Sequence, residues 1–306
     1  LGELLSAQVI AAFGRQYLVR LGDGSKMTCM TRGKKSVVAC GDMVEVKRTD
    51  QPSIATRAPT SNGLRPGAQG VIELIAPRRS LLHRSNVYRE KIIAANVTQI
   101  IVVVAAEPSF NDELLARCLV AAYDQNLDVL IVLNKCDLLE GAAAARMRLV
   151  PYSAIGYRVL ELSAIQDTTR LRPFLSGHSS VLVGQSGMGK STLINALLPD
   201  AQAVTREIST VLDSGKHTTT HARLYRLDDT SSLIDCPGVQ AFGLHHLSFG
   251  RIEQGFVEFA QYLGQCRFHD CHHLHEPGCA LRNAVDEGNI DARRLELFQH
   301  ITAELH

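Results

Sequence analysis

The segment Ser180–Asn195 constrains the fold more than any other part of the chain. An apolar run from Ser180 to Val183 leads into Gly184-Gln185-Ser186-Gly187-Met188-Gly189-Lys190-Ser191, and a helical pattern follows from Lys190 to Leu198. Glycines let the backbone wrap closely around phosphates with its N–H groups pointing inward. The N-terminus of the following helix adds partial positive charge. A strand, a tight glycine loop and a helix in that order call for a mostly parallel sheet with helices on its faces. Lys190 is placed to neutralise β- and γ-phosphate charge, and the Ser191 hydroxyl to ligate Mg²⁺. The donors from Gly184 through Thr192 would line the phosphates.

A phosphate loop leaves ATP and GTP open. Asn134-Lys135-Cys136-Asp137, after the apolar run Val129 to Leu133, decides between them. The Asp137 carboxylate can accept from the N1–H and exocyclic amine of guanine, a donor pair that adenine lacks on that edge. Asn134 can brace the loop, and the Lys135 stem can lie across the base. Leu162-Ser163-Ala164, after the next strand, matches a backbone element that donates to the guanine O6. Asp235-Cys236-Pro237-Gly238 also follows an apolar strand. Asp235 is expected to reach Mg²⁺ through water, and the Gly238 N–H to sense the γ-phosphate. In Gly215-Lys216-His217-Thr218-Thr219-Thr220 one threonine should complete the Mg²⁺ shell, and Thr219 is our choice. The guanine reader precedes the phosphate loop, the reverse of an ordinary GTPase, so the domain is circularly permuted.

Many GTPases place a glutamine after the Asp-x-x-Gly motif to orient the attacking water. Val239 stands there and cannot do so. Slow unaided hydrolysis is therefore expected, completed by a partner. His217 is the internal candidate for positioning water, with an exposed loop histidine as the alternative.

Upstream, Ala7 to Phe13, Gln16 to Leu21, Lys26 to Thr31, Met43 to Lys47 and Val71 to Ile75 suit short strands broken by turns, which predicts a five-stranded oligonucleotide-binding (OB) barrel. Residues 51–70, with three Pro and three Gly, are expected to form a mobile loop. Residues 1–91 carry fifteen Lys or Arg against seven Asp or Glu, whereas the whole chain nets only +1. That basic third suits a polyanion partner or a merely solvated surface. From about residue 92 strand and helix patterns alternate as far as Gly238. The 45% hydrophobic and 21% charged fractions are ordinary for a globular protein. No apolar run reaches membrane-spanning length and no signal peptide is recognisable, so a cytoplasmic location without a membrane partner is expected.

Of eight cysteines, three crowd the end of the chain. Cys266, Cys271, His273 and Cys279 give the spacing C-x₄-C-x-H-x₅-C. Three thiolates and an imidazole suit one tetrahedral, structural Zn²⁺. His272 and His275 could replace His273; His269 is a poorer substitute. The surrounding segment is expected to be helical and polar, with little core of its own.

Taken together, the permuted motif order, Gly215 to Thr220, and the stretch Cys271-His272-His273 to Glu276-Pro277-Gly278-Cys279-Ala280 resemble the ribosome small-subunit-dependent GTPase A family (RsgA). The resemblance covers nearly the whole chain. It implies an OB barrel over residues 1–76, a circularly permuted GTPase over 77–243 and a helical zinc domain over 244–306. It also implies binding to the small ribosomal subunit and its rRNA late in assembly, with GTP hydrolysed to GDP under stimulation by that particle. Another RNA or ribonucleoprotein target is the alternative. A monomer is expected. Aromatics in the basic third are few (Phe13, Tyr17, Tyr88), which favours backbone and shape recognition over base stacking.

Overall fold

The computed structural model describes residues 3–14, 16–32, 37–49, 69–85, 90–198, 222–236 and 242–305. The expected loop at 51–70 therefore lies almost wholly outside the described residues. So do His217, Thr219, Gly238 and Val239.

Five strands, β1 (Leu4–Phe13), β2 (Gln16–Leu21), β3 (Lys26–Thr31), β4 (Met43–Arg48) and β5 (Gly70–Ile75), form the N-terminal barrel. It closes because β1 pairs antiparallel with both β2 and β4, while β5 pairs with β3 and β4. Period-two alternation drives the closure: Val44 and Val46 point inward while Met43 and Glu45 face out. Val9, Tyr17, Val19, Cys29 and Ile72 complete the barrel core. Tyr17 is 1% exposed, so it packs the interior and offers no stacking face.

After the barrel, a hairpin of β6 (Leu81–Ser85) and β7 (Glu90–Ala95) leads to the second region. There, β8 (Gln99–Ala105), β9 (Asp128–Asn134), β10 (Arg158–Glu161) and β11 (Ser179–Val183) run parallel with β13 (Ser232–Asp235), and β12 (Arg223–Arg226) runs antiparallel at the end. The spatial order is β10-β9-β8-β11-β13-β12. Every residue of β8 is buried, as a central parallel strand requires. Helices α1 (Asp112–Asp124), α2 (Leu139–Ala154), α3 (Arg172–Leu175) and α4 (Lys190–Leu197) connect these strands. Three more follow: α5 (Phe249–Gly255), α6 (Ala280–Asp286) and α7 (Ala292–Ala303). No helix among the described residues is long and apolar enough to cross a membrane.

The C-terminal region departs from the expectation of a thin core. Phe256, Phe259 and Phe298 are fully buried and pack ring against ring, with Phe249 edge-on to Phe298. These rings belong to the same hydrophobic cluster as the parallel sheet. The link is α1. A Cβ at Gly255 would sit 3.0 Å from Val120 on α1, so α5 lies close against that helix. Ion pairs join Arg251 to Asp124 and Arg117 to Glu304 at 2.8 and 2.7 Å.

Barrel and sheet are joined through the start of β4 and the end of β7. Gly41 has φ +95°, and a Cβ there would lie 2.1 Å from the Ala95 carbonyl oxygen. The Asn96 amide donates to the Gly41 carbonyl at 3.1 Å, and Ala95 N–H donates to Cys40 at 2.9 Å. Fully buried Asp42 accepts from Arg78 at 2.7 and 2.8 Å. Both the backbone angle and the close approach demand glycine. Gly41→Ala is expected to destabilise the protein by more than about 2 kcal/mol, read as a lower thermal unfolding midpoint.

Candidate functional site

Three loops meet at the C-terminal ends of the parallel strands, where open α/β sheets bind ligands. After β11, Gly184 takes φ +147°, and a Cβ would come within 2.3 Å of the Val103 carbonyl oxygen. Gly189, at φ +88°, forms the N-cap of α4. These two positions fold the loop back over the sheet so that its N–H groups can face an anion. Met188 is buried beneath the loop, while Ser186, Gly187, Ser191 and Thr192 are exposed. The Gln185 side chain turns away to accept from Asn111 N–H at 2.8 Å, holding the loop to the start of α1.

Lys190 Nζ donates to the Gly184 and Gln185 carbonyls at 2.6 and 2.7 Å. Burial pushes its pKa down, and the nearby Asp235 carboxylate opposes that shift. Burial pushes Asp235 up, while Lys190 and Arg223 hold it down. A buried carboxylate and a half-buried ammonium thus act on one another, with the exposed Ser191 hydroxyl next to Lys190 in the chain; the carboxylate and hydroxyl suit a divalent cation and the ammonium a phosphate chain. Pro237 and Gly238 lie outside the described residues, as does the run from Gly215 to Thr220.

The Asn134 amide links two of the loops. It is 1% exposed. Its Nδ2 donates to the Met188 carbonyl at 2.9 Å, and its Oδ1 accepts from Ala164 N–H at 2.9 Å. A base oxygen arriving at Ala164 would compete with Asn134 for that N–H. Lys135 adopts φ +62°, and its ammonium donates to the Glu107 carbonyl at 2.6 Å. The stem passes beside the phosphate loop, its Cε 3.9 Å from where a Cβ at Gly189 would sit. Asp137 Oδ1 and Ser163 Oγ are both buried with no hydrogen-bond partner. An orphaned carboxylate oxygen is costly unless a ligand donor completes it.

The second cluster is Cys266, Cys271, His273 and Cys279, whose ligand atoms all lie within 4.8 Å of one another. His273 Nδ1 is 3.6, 3.6 and 3.2 Å from the sulfurs of Cys266, Cys271 and Cys279. Its other nitrogen, Nε2, pairs with Glu253 Oε1 at 2.7 Å. That partner orients the ring and directs Nδ1 at the sulfurs, the usual support of a metal-bound imidazole. A left-handed backbone at His273, φ +61°, turns this residue inward. His272 and His275 instead lend their N–H groups to Glu276, whose carboxyl is held down at about 2 by donors from its own backbone and from His272, Leu274 and His275 against the effect of burial. The donor set fits tetrahedral zinc. Sequence reasoning missed Glu253, because nothing in its local pattern marks it as a partner of a histidine so far along the chain.

Comparisons with known proteins agree with this geometry. A family model described as RsgA GTPase matches residues 75–245. A small ribosomal subunit biogenesis GTPase RsgA of Nitrosospira multiformis is 52% identical over 302 residues, covering 99% of this chain and 91% of that protein. A protein of the same name from Burkholderia pseudomallei (strain 1710b) is 50% identical over 308 residues, covering 99% and 93%. The crystal structure of YjeQ from Thermotoga maritima matches with a TM-score of 0.70 at 26% identity, covering 99% of both chains. YloQ, described as a circularly permuted GTPase, shares the fold at a TM-score of 0.67 and 23% identity, covering 99% of this chain and 95% of that one.

Removing the orienting carboxylate separates metal binding from mere packing. Glu253→Gln is expected to weaken zinc retention by about 10- to 100-fold, measured by competition with a chromophoric chelator.

Proposed function

Because the chain belongs to the RsgA GTPase family, we propose that it hydrolyses GTP on the small ribosomal subunit, late in that particle's assembly, with turnover stimulated by the particle. Asp137 carries the assignment of the nucleotide. Its buried, unpartnered oxygen needs an N–H donor, and guanine offers N1–H and an exocyclic amine on one edge. Asn134 would brace this reader, Lys135 cover the base, and Ser163 and Ala164 face its O6. The backbone from Gly184 to Thr192 would cradle the phosphates.

Mg²⁺, when bound, supplies charge neutralisation across the β- and γ-phosphates. Ser191 and Thr219 would ligate it and Asp235 would hold one of its waters. Lys190 would leave the Gly184 and Gln185 carbonyls for the phosphate chain. Gly238 would sense the γ-phosphate. With Val239 in the place of a glutamine, we assign the positioning of water to His217.

We divide the chain into a barrel over 1–76, a GTPase region over 77–243 and a zinc region over 244–306. The basic barrel would dock on rRNA through phosphates, and zinc would hold the C-terminal helices. A cytoplasmic monomer fits this role.

Adding small subunits is expected to raise the GTP hydrolysis rate well above that of the isolated chain, and the stimulation should fall steeply with salt, because phosphate contacts release counterions. Equal stimulation by large subunits would favour a different ribonucleoprotein target. Asp137→Ala is expected to weaken GTP binding by about 10- to 100-fold, read by titration with a fluorescent GTP analogue. ATP should not compete with that analogue.

A further inference from the structure

Among the described residues, the barrel and the parallel sheet share one strand contact, β1 with β12, and its register pair is Ala11 with Arg223. On the other side of β12, Arg223 is the register partner of Asp235. Residues directly opposed in an antiparallel pair project from the same face of the sheet. The guanidinium and the carboxylate at the phosphate site therefore share a face. Arg223 is 7% exposed, and its Nε and Nη1 are buried without a hydrogen-bond partner. A buried cation with unspent donors is costly to maintain. Among the described residues, two features offset that charge. One is Asp235, on which Arg223 acts electrostatically. The other is the ring of Phe13, whose centroid lies 5.9 Å from the guanidinium carbon. Phe13 is the last residue of β1, two beyond Ala11, and so belongs to the barrel.

We propose that Arg223 is a positioning residue through which the barrel sets how tightly Asp235 holds Mg²⁺ through its bound water; this rests on the assignment of Asp235 given above. Arg223 and Mg²⁺ are two cations facing one carboxylate. A guanidinium drawn toward the Phe13 ring competes less with the metal, and one released from the ring competes more. A partner that displaces Phe13 at the edge of the barrel is thereby felt at the phosphate site without contacting it.

The test uses the full chain and a fluorescent, non-hydrolysable GTP analogue. Its dissociation rate is followed as Mg²⁺ is titrated, giving the Mg²⁺ concentration that half-stabilises the complex. Arg223→Gln removes the competing cation and should lower that concentration by about three- to tenfold, while Arg223→Lys should stay near the wild type. Phe13→Leu keeps bulk but loses the ring's attraction for the cation, so it should raise the concentration by about threefold. Opposite signs for the two substitutions are the signature, because simple loosening of the junction would move both the same way. Equal or same-direction shifts overturn the proposal, and if Arg223→Gln does not fold, a failure of Phe13→Leu to raise the requirement overturns it alone. Asp235→Asn separates the two levels of inference. If it leaves the Mg²⁺ requirement unchanged, the assignment of Asp235 fails and the proposal falls with it. If it raises the requirement while the Arg223 and Phe13 variants do not diverge, only the proposal fails.

Discussion

One buried amide ties together the loops of the candidate nucleotide site. Asn134 stands at the end of β9 and reaches the phosphate loop on one side and the loop after β10 on the other. Gly189 lies so close that a Cβ there would meet the Asn134 Nδ2 at 2.3 Å. The glycine thus serves the left-handed turn and the approach of this side chain together. Because the loops are joined by side-chain contacts rather than by chain continuity, their order along the chain is free. The order of strands in space is what the chemistry requires, and a permuted chain can meet it.

The C-terminal cluster is organised from outside its own loop. Glu253 on α5 fixes the His273 ring, and Gln299 on α7 donates to the His273 carbonyl. Buried Arg294 pairs with buried Glu258 and lies over the rings of Phe256 and Tyr152. The ligand loop is therefore clamped by helices that have their own apolar reasons to stay in place. The Cys/His cluster and the aromatic packing share the same few turns of chain.

Much of this was legible in the residues. Alternation in Met43 to Lys47 shows a half-buried strand, and the unbroken apolar run in Gln99 to Val104 shows a central one. The phosphate loop and the cysteine spacing announce themselves by residue types at short, fixed separations. The hairpin of β6 and β7 was not visible, because His83 interrupts its apolar pattern. Helix α2 was hidden because exposed Leu139, Met147 and Val150 blur its amphipathic stripe and Pro151 lies inside it. The choice of His273 over its neighbours depends on a backbone angle. The roles of Glu253 and Arg223 depend on packing and register between distant segments, which local pattern does not encode.

Helix α1 has a consequence for how the molecule comes apart. Its residues from Leu114 to Ala122 are all buried, so it has no solvent face along that stretch. The sheet covers one side and the C-terminal helices the other, with Arg117 tied to both Glu113 and Glu304. A boundary drawn at residue 243 divides the sequence but cuts through one hydrophobic cluster. Stripping away the C-terminal helices would leave Val120 and its neighbours as a bare apolar surface, prone to self-association. The nucleotide-binding and cysteine-rich regions are expected to melt in one transition, and a chain cut between them forfeits the stability of both halves.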